Sequence, residues 1–255
     1  MQISQVAAQL YTVRNHLKDP ASFADAIRRL KKMGYPAVEV VISDNVTEKE
    51  SQQICRDEGV TIAAAHVASS VLLSEAEAVT EMLERTGIRV AVYAYPTGVD
   101  LSTRLEVERL ASRLEQSAQV LNRAGFVLAY HNHAVEFARV GGELVLDIIR
   151  QTAPSLAFEL DTYWVQYGGG NVEHWIRALK GKLATIHLKD YGFDLQHDRP
   201  YMAEVGYGNL DMPGLVAAAE EAGAQWFVVE QDETPGDPFD SLQKSFEYLR
   251  AQLVH

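Results

Sequence analysis

Glu136, Asp161, His187 and Glu230 follow one another at intervals of 25, 26 and 43 residues. Each comes at or just past the end of a short apolar run, and each interval is close to one strand–helix unit. A chain that returns to a common rim once per unit would gather the four. Three carboxylates and one imidazole are oxygen and nitrogen donors suited to a hard or borderline divalent cation, with Mn2+ or Mg2+ ahead of Co2+ and Zn2+. A thiolate site is excluded, because Cys55 is the single cysteine and falls in the second predicted helix. His131 and His133 share a strand face, whereas Glu136 has the opposite parity and lies past the regular end of that strand. Glu136 is assigned as the ligand and His133 faces substrate, with His131 or His133 in the coordination position as the alternative.

Each residue also has a bland reading. A strand-end histidine such as His66 can be a hydrogen-bonded scaffold residue, and Lys189 with Asp190 can be a surface pair. Glu39, in the middle of an apolar strand, can be a buried carboxylate held by its neighbour. The run Gly168-Gly169-Gly170 lacks a following Lys-Ser/Thr, so it reads as a turn before a helix at Val172 rather than a phosphate loop. What favours a site is conjunction, since four consecutive strands present ligand-capable residues at one rim.

The elements that must position these residues alternate regularly. Strands are predicted to begin near Ser4, Ala37, Thr61, Val90, Phe126, Leu156, Ala184 and Trp226, with amphipathic segments between them. Gly34, Gly59, Gly87, Gly125, Gly181 and Gly223 stand where helices return to strands, and Pro154 marks the remaining junction. Asp19-Pro20, Ser74 with Glu77, and Asp211-Met212-Pro213 read as helix starts. Eight strands and eight helices without a linker predict a single (β/α)8 TIM barrel over residues 1–255, ahead of a doubly wound sheet, because no GxGxxG follows the first strand. In such a barrel the active site lies at the C-terminal ends of the strands.

Composition narrows the partners. The chain has 255 residues, of which 47% are hydrophobic and 23% charged, which excludes disorder and fibrous folds. Its 23 Lys and Arg against 35 Asp and Glu leave a net charge of −12. A phosphate backbone needs clustered cations, so no nucleic-acid partner is expected. The basic run Arg28-Arg29-Leu30-Lys31-Lys32 fits the last turn of a helix, where it opposes the negative end of the dipole. There is no apolar run of membrane-spanning length and no evident secretion signal, and a lone cysteine fits a reducing compartment. A cytoplasmic enzyme is expected.

At these residues the chain resembles the sugar isomerase/epimerase superfamily with the xylose isomerase-like barrel. The resemblance covers nearly the whole chain. It is carried by Gln9-Leu10-Tyr11-Thr12-Val13-Arg14, YHNHAVEF from Tyr130, LDTYWVQYGG from Leu160, IHLKD from Ile186, EVGYGNLD from Glu204 and VVEQDE from Val228. The resemblance implies a metal held by Glu136, Asp161, His187 and Glu230, with Glu136 and Glu230 also serving as an acid/base pair. It departs from the ketose 3-epimerases in having His131-Asn132-His133 where their strand leads with Glu. The endonuclease branch needs further His and Asp ligands that are missing here.

The chemistry implied is proton transfer beside the carbonyl of a ketose or keto-sugar, through a metal-stabilised cis-enediolate. Glu136, Glu230 and His133 would be catalytic. His66, Lys189 and Glu204 would meet sugar hydroxyls, with Trp164 and Tyr11 as walls. Clustered carboxylates repel one another without the ion, so the metal-free protein should be less stable. One cofactor is expected, a divalent ion, Mn2+ first. The substrate is a small sugar, without a membrane partner, and a homo-oligomer is a family-level expectation. The alternative is a metal-dependent lyase, either an inosose-type dehydratase or an enzyme eliminating from a 3-keto-glycoside. Amidohydrolase-type hydrolysis places its HxH pair on the first strand, which here ends Gln9-Leu10-Tyr11. A sugar-binding protein without turnover is the non-enzymatic reading.

Overall fold

The computed structural model describes residues 1–43 and 45–255. Among them, eight parallel strands close into a barrel: β1 Val6–Gln9, β2 Ala37–Val41, β3 Thr61–Val67, β4 Val90–Tyr93, β5 Val127–His131, β6 Ala157–Asp161, β7 Leu183–Leu188 and β8 Trp226–Val229. Each strand pairs with the next in sequence, and Val6 opposite Phe227 closes β1 onto β8. Helices cover the outside, so the fold is a single (β/α)8 TIM barrel. No helix among the described residues is long and apolar enough to cross a membrane.

The helix punctuation follows the sequence. Asp19 accepts a hydrogen bond from the Ser22 amide with Pro20 in the first turn, and Asp211 accepts one from the Gly214 amide. The six junction glycines all have positive φ, between 66° and 112°. Lys31 and Lys32 occupy the last turn of the helix Pro20–Met33. Cys55 is buried in the helix Glu48–Glu58.

Three details differ from expectation. The β3–β4 connection holds two helices, Ser69–Ser74 and Ala76–Thr86, and the β6–β7 connection also holds two, Thr162–Tyr167 and Val172–Ala178. The described residues therefore form ten α-helices rather than eight. No capping box forms at Ser74, whose hydroxyl instead donates to the Ser70 carbonyl at 2.8 Å. Two hairpins extend the rim: Arg139–Val140 with Glu143–Leu144 after β5, and Asp190–Asp194 with Arg199–Ala203 after β7. Period-two alternation alone did not separate these short strands from loop.

The lumen changes character along the strands. At the N-terminal end it is filled by small apolar side chains such as Ala7, Ala37, Ala63 and Val228. The next inward positions carry Gln9, Glu39, His131, Glu159, Thr185 and His187, all buried. Burying this many polar groups is costly unless they pair with one another, and they do.

Candidate active site

The lower part of the polar lumen is a hydrogen-bonded network. Gln9 Nε2 donates to Glu39 Oε2 at 2.8 Å, and Thr185 Oγ1 donates to Glu159 Oε2 at 2.6 Å. Glu159 Oε1 lies 2.8 Å from His66 Nε2 and 3.3 Å from His131 Nδ1. His187 Nε2 is flanked by Glu39 Oε2 at 2.6 Å and Glu159 Oε1 at 3.1 Å. Two carboxylates thus fix one nitrogen of this ring and orient the other toward the barrel mouth. Glu39 and Glu159 behave differently despite their proximity. Burial and the Glu159 charge push Glu39 up to about 7. Burial also opposes the Glu159 charge, but His187 and His66 outweigh it and hold Glu159 well below the usual range.

Above this network, ligand atoms of His131, Asp161, His187 and Glu230 lie within 4.8 Å of one another, and all four residues are buried. They come from the C-terminal ends of β5, β6, β7 and β8. His187 Nδ1 is 2.9 Å from Glu230 Oε2 and 3.8 Å from Asp161 Oδ2. Burial holds His131 down to about 4, so it is a neutral imidazole at physiological pH, the form that binds metals. Two atoms of this set keep only an ionic contact among the described residues: His131 Nδ1 lies 3.3 Å from Glu159 Oε1, and Asp161 Oδ2 lies 3.1 Å from Lys189 Nζ. Two imidazoles and two carboxylates converging at this distance are a donor set that fits a divalent ion.

Lys189 changes the electrostatics of the set. Its Nζ lies 2.8 Å from Glu230 Oε2, 3.1 Å from Asp161 Oδ2 and 3.0 Å from Asp232 Oδ2. Burial disfavours the ammonium, yet Asp161, Glu230 and Asp232 raise its pKa well above the ordinary lysine value. Burial likewise opposes the Glu230 charge, and Lys189 and His187 more than reverse that. The carboxylates are thus not bare in the metal-free protein, as charge counting on the sequence implied. An incoming ion would compete with Lys189 rather than simply relieve repulsion.

Glu136, expected to be both ligand and catalyst, is elsewhere. It sits in a short turn, Val135–Phe137, where its Oε1 accepts from Tyr130 Oη at 2.8 Å and its Oε2 from the His133 amide at 2.7 Å. Tyr130 is an outward-facing residue of β5, so the bond draws Glu136 behind the strand, and His131 takes the inward place. Glu204 also departs from its expected position. Its carboxylate accepts from Ser241 and Lys244 on the helix Pro238–Gln252, turning it away from the cavity. Asp190 does not pair with Lys189. It accepts from the amides of Gly206, Gly208 and Leu210 and so fastens the 204–211 loop. Gly168 and Gly170 are a matter of packing, since a Cβ on either would fall 2.7–2.8 Å from the Phe137 side chain.

The ligand cluster borders a cavity of about 980 Å³. Tyr11, His66, His131, His133, Trp164 and Glu230 are among its lining residues. His133 packs edge-on to Tyr95 at 4.9 Å and lies 5.5 Å from the Trp164 ring. Burial, with the neighbouring His131 and Lys189, holds His133 down to about 2, so it offers a neutral ring to a ligand. Gln9, Glu39 and Glu159 were not singled out as site residues from the sequence. Their signal was present, because a polar residue at an inward position of a closed barrel has only the lumen to face.

The sequence profile of the xylose isomerase-like TIM barrel family matches residues 27–252. No curated protein matches the chain. Among solved structures, a sugar phosphate isomerase/epimerase from Parabacteroides distasonis ATCC 8503 is 18% identical, with a TM-score of 0.83 over 98% of this chain and 95% of that one. A xylose isomerase-like TIM barrel protein from Mycobacterium smegmatis, solved with magnesium, is 14% identical with a TM-score of 0.72 over 98% and 97%. The probable 3-DHS dehydratase AsbF of Bacillus anthracis is 11% identical with a TM-score of 0.72 over 99% and 100%. At these identities the likeness shows the fold. Taken with the match over most of its length, the chain belongs to the xylose isomerase-like TIM barrel family.

Proposed function

We propose that this chain is a divalent-metal-dependent sugar isomerase/epimerase that moves a proton on the carbon next to the carbonyl of a ketose or keto-sugar. The observation that carries the reading is the convergence of His131, Asp161, His187 and Glu230 beside the cavity, all four buried and with ligand atoms within 4.8 Å of one another. With two imidazoles in the set, Mn2+ is favoured over Mg2+, the harder ion. When bound, the ion supplies Lewis-acid stabilisation of the negative charge that develops on the substrate oxygens.

The chain's own residues supply the rest. Glu230 is the proton acceptor, kept ionised by Lys189 and His187. Its Oε2 is engaged by both, which leaves Oε1 to take the proton at the edge of the cavity. Lys189, fully buried and fixed by three carboxylates, holds Asp161 and Glu230 in place and ionised. Neutral His133 and the Trp164 ring orient the sugar and exclude water from one side.

A second reading has an observation of its own. Glu136 does not reach the cavity, so the second carboxylate that a two-carboxylate epimerase would use on the opposite substrate face is missing from the expected pair. Elimination of a β-oxygen needs one base and one acid, and a dehydratase is among the structural neighbours. Product identification separates the two. Incubation of the Mn2+-restored protein with free ketoses, inosose and a 3-keto-glycoside, followed by NMR, should give an epimer or isomer of a keto-sugar. Loss of water or aglycone would instead assign the lyase. No product from any of them, with metal bound, would overturn both.

A further inference from the structure

The cavity is far larger than a single sugar ring, and its two halves differ in chemistry. Its volume of about 980 Å³ is at the top of the ~300–1,000 Å³ range of sites that enclose drug-sized ligands. The ligand cluster occupies the side formed by β5 to β8. The other side is built from the ends of β2 and β3, the helix Ser69–Ser74, the segment after β4, and the helix Arg104–Arg123. Its walls include Val41, Ile42, Val67, Leu73 and Val99.

Two serines in this arm are less polar than their type suggests. Ser69 Oγ donates to the Tyr95 carbonyl at 2.7 Å, and Ser74 Oγ donates to the Ser70 carbonyl, so neither hydroxyl proton is offered to a ligand. Tyr11, Val41 and Tyr95 stand 39–44% exposed around the cavity. Large apolar side chains exposed together in a concave surface mark a binding surface. Arg113 also lines the arm; its guanidinium reaches the Leu73 carbonyl at 3.4 Å and pairs with no carboxylate among the described residues. The packed rings of Tyr95, His133 and Trp164 join the arm to the ligand cluster.

We infer that the site takes a sugar carrying a second, aromatic group, with the sugar at the ligand cluster and the aromatic ring in the apolar arm, its far edge presenting a hydrogen-bond acceptor to Arg113. The substrate class is then an aryl glycoside, or its keto form, rather than a free monosaccharide. This rests on the sugar-directed reading of the same site, and continuity of the arm with the ligand cluster supports it. A free sugar would leave the arm to water against Val41, Leu73 and Val99.

The test is binding, without turnover. Calorimetric titration of the Mn2+-loaded protein would compare methyl with para-nitrophenyl β-D-glucopyranoside, and the same pairs built on galactose, mannose and xylose. At least one para-nitrophenyl member should bind roughly tenfold tighter than its methyl counterpart. That advantage should shrink below about twofold in Val99→Asp, which places a charge in the arm, and in Tyr95→Ala, which opens it without adding one. Equal affinities within each pair, no binding of any pair up to about 10 mM, or an advantage that survives both substitutions would overturn the inference. Because no reaction is needed, an aryl preference without any proton transfer would sink the proposed activity and leave the arm standing. Proton transfer without aryl preference would do the reverse.

Discussion

Substituting His131 and Glu136 one at a time tests which of them belongs to the ion. His131 lies within 4.8 Å of Asp161, His187 and Glu230, whereas both Glu136 oxygens are engaged by Tyr130 and the His133 amide. An ion at 100 times its dissociation constant stabilises the fold by about 2.7 kcal/mol, and ~1 kcal/mol moves the melting temperature of a chain this size by ~2–4 °C. Saturating Mn2+ should therefore raise the Tm of the chelator-stripped protein by about 5–10 °C. Loss of a direct ligand should weaken affinity by at least the ~100-fold that outer-shell substitutions reach. At the same Mn2+ concentration His131→Ala then retains only ~0.4 kcal/mol, a shift of about 1 °C. Glu136→Gln keeps its hydrogen-bonding shape and should retain most of the wild-type shift. Differential scanning fluorimetry with and without Mn2+ reads all three proteins. A wild-type Tm indifferent to Mn2+ would rule out the ion, and a shift lost in Glu136→Gln and kept in His131→Ala would return Glu136 to the ligand set.

Other outcomes follow from the same contacts. Lys189→Met should destabilise the metal-free protein by ~3–5 kcal/mol, because it leaves Asp161 and Glu230 buried without their cation, and Mn2+ should recover part of that in urea denaturation. Glu159→Gln should lower Mn2+ affinity by ~10–100-fold by loosening His187, read by titration monitored by electron paramagnetic resonance. Glu39 has a folded pKa raised from 4.5 to about 7, so the fold holds a proton that the unfolded chain releases. Its contribution is fully present below about pH 4.5 and is lost as pH rises through about 7, a change on the order of 3 kcal/mol. Glu39→Gln should flatten that part of the metal-free stability profile, measured from urea midpoints between about pH 5 and about pH 8. An unchanged profile would remove Glu39 from the account.

The barrel was legible because its signals are local. A C′ glycine at six junctions and a polar residue at the end of each late strand are written in consecutive residues. Asp161, His187 and Glu230 could be placed by strand parity alone. Glu136 could not, because its position is decided by the outward Tyr130 hydroxyl and the His133 amide, a turn geometry that strand alternation does not describe. The same parity argument pointed to His131, two residues beyond Ala129 on the inward face of β5. Glu204 was hidden for a similar reason, since a helix more than thirty residues downstream supplies Ser241 and Lys244. The Glu39–His187–Glu159 network depends on strands that meet only when the barrel closes. Lys189 read as a contact to sugar hydroxyls, and nothing in IHLKD shows that three carboxylates surround it.

Proton transfer at the carbon next to a carbonyl, with Glu230 as the acceptor, leaves an isotopic trace in the substrate. The direct measurement is deuterium incorporation in D2O, followed by NMR, for keto-sugars incubated with chelator-stripped protein, with the Mn2+-restored protein, and with Mn2+-restored Glu230→Gln. Deuterium is expected at that carbon only in the Mn2+-restored wild type. Exchange that persists in Glu230→Gln, or that never appears in any keto-sugar while Mn2+ is demonstrably bound, would contradict it.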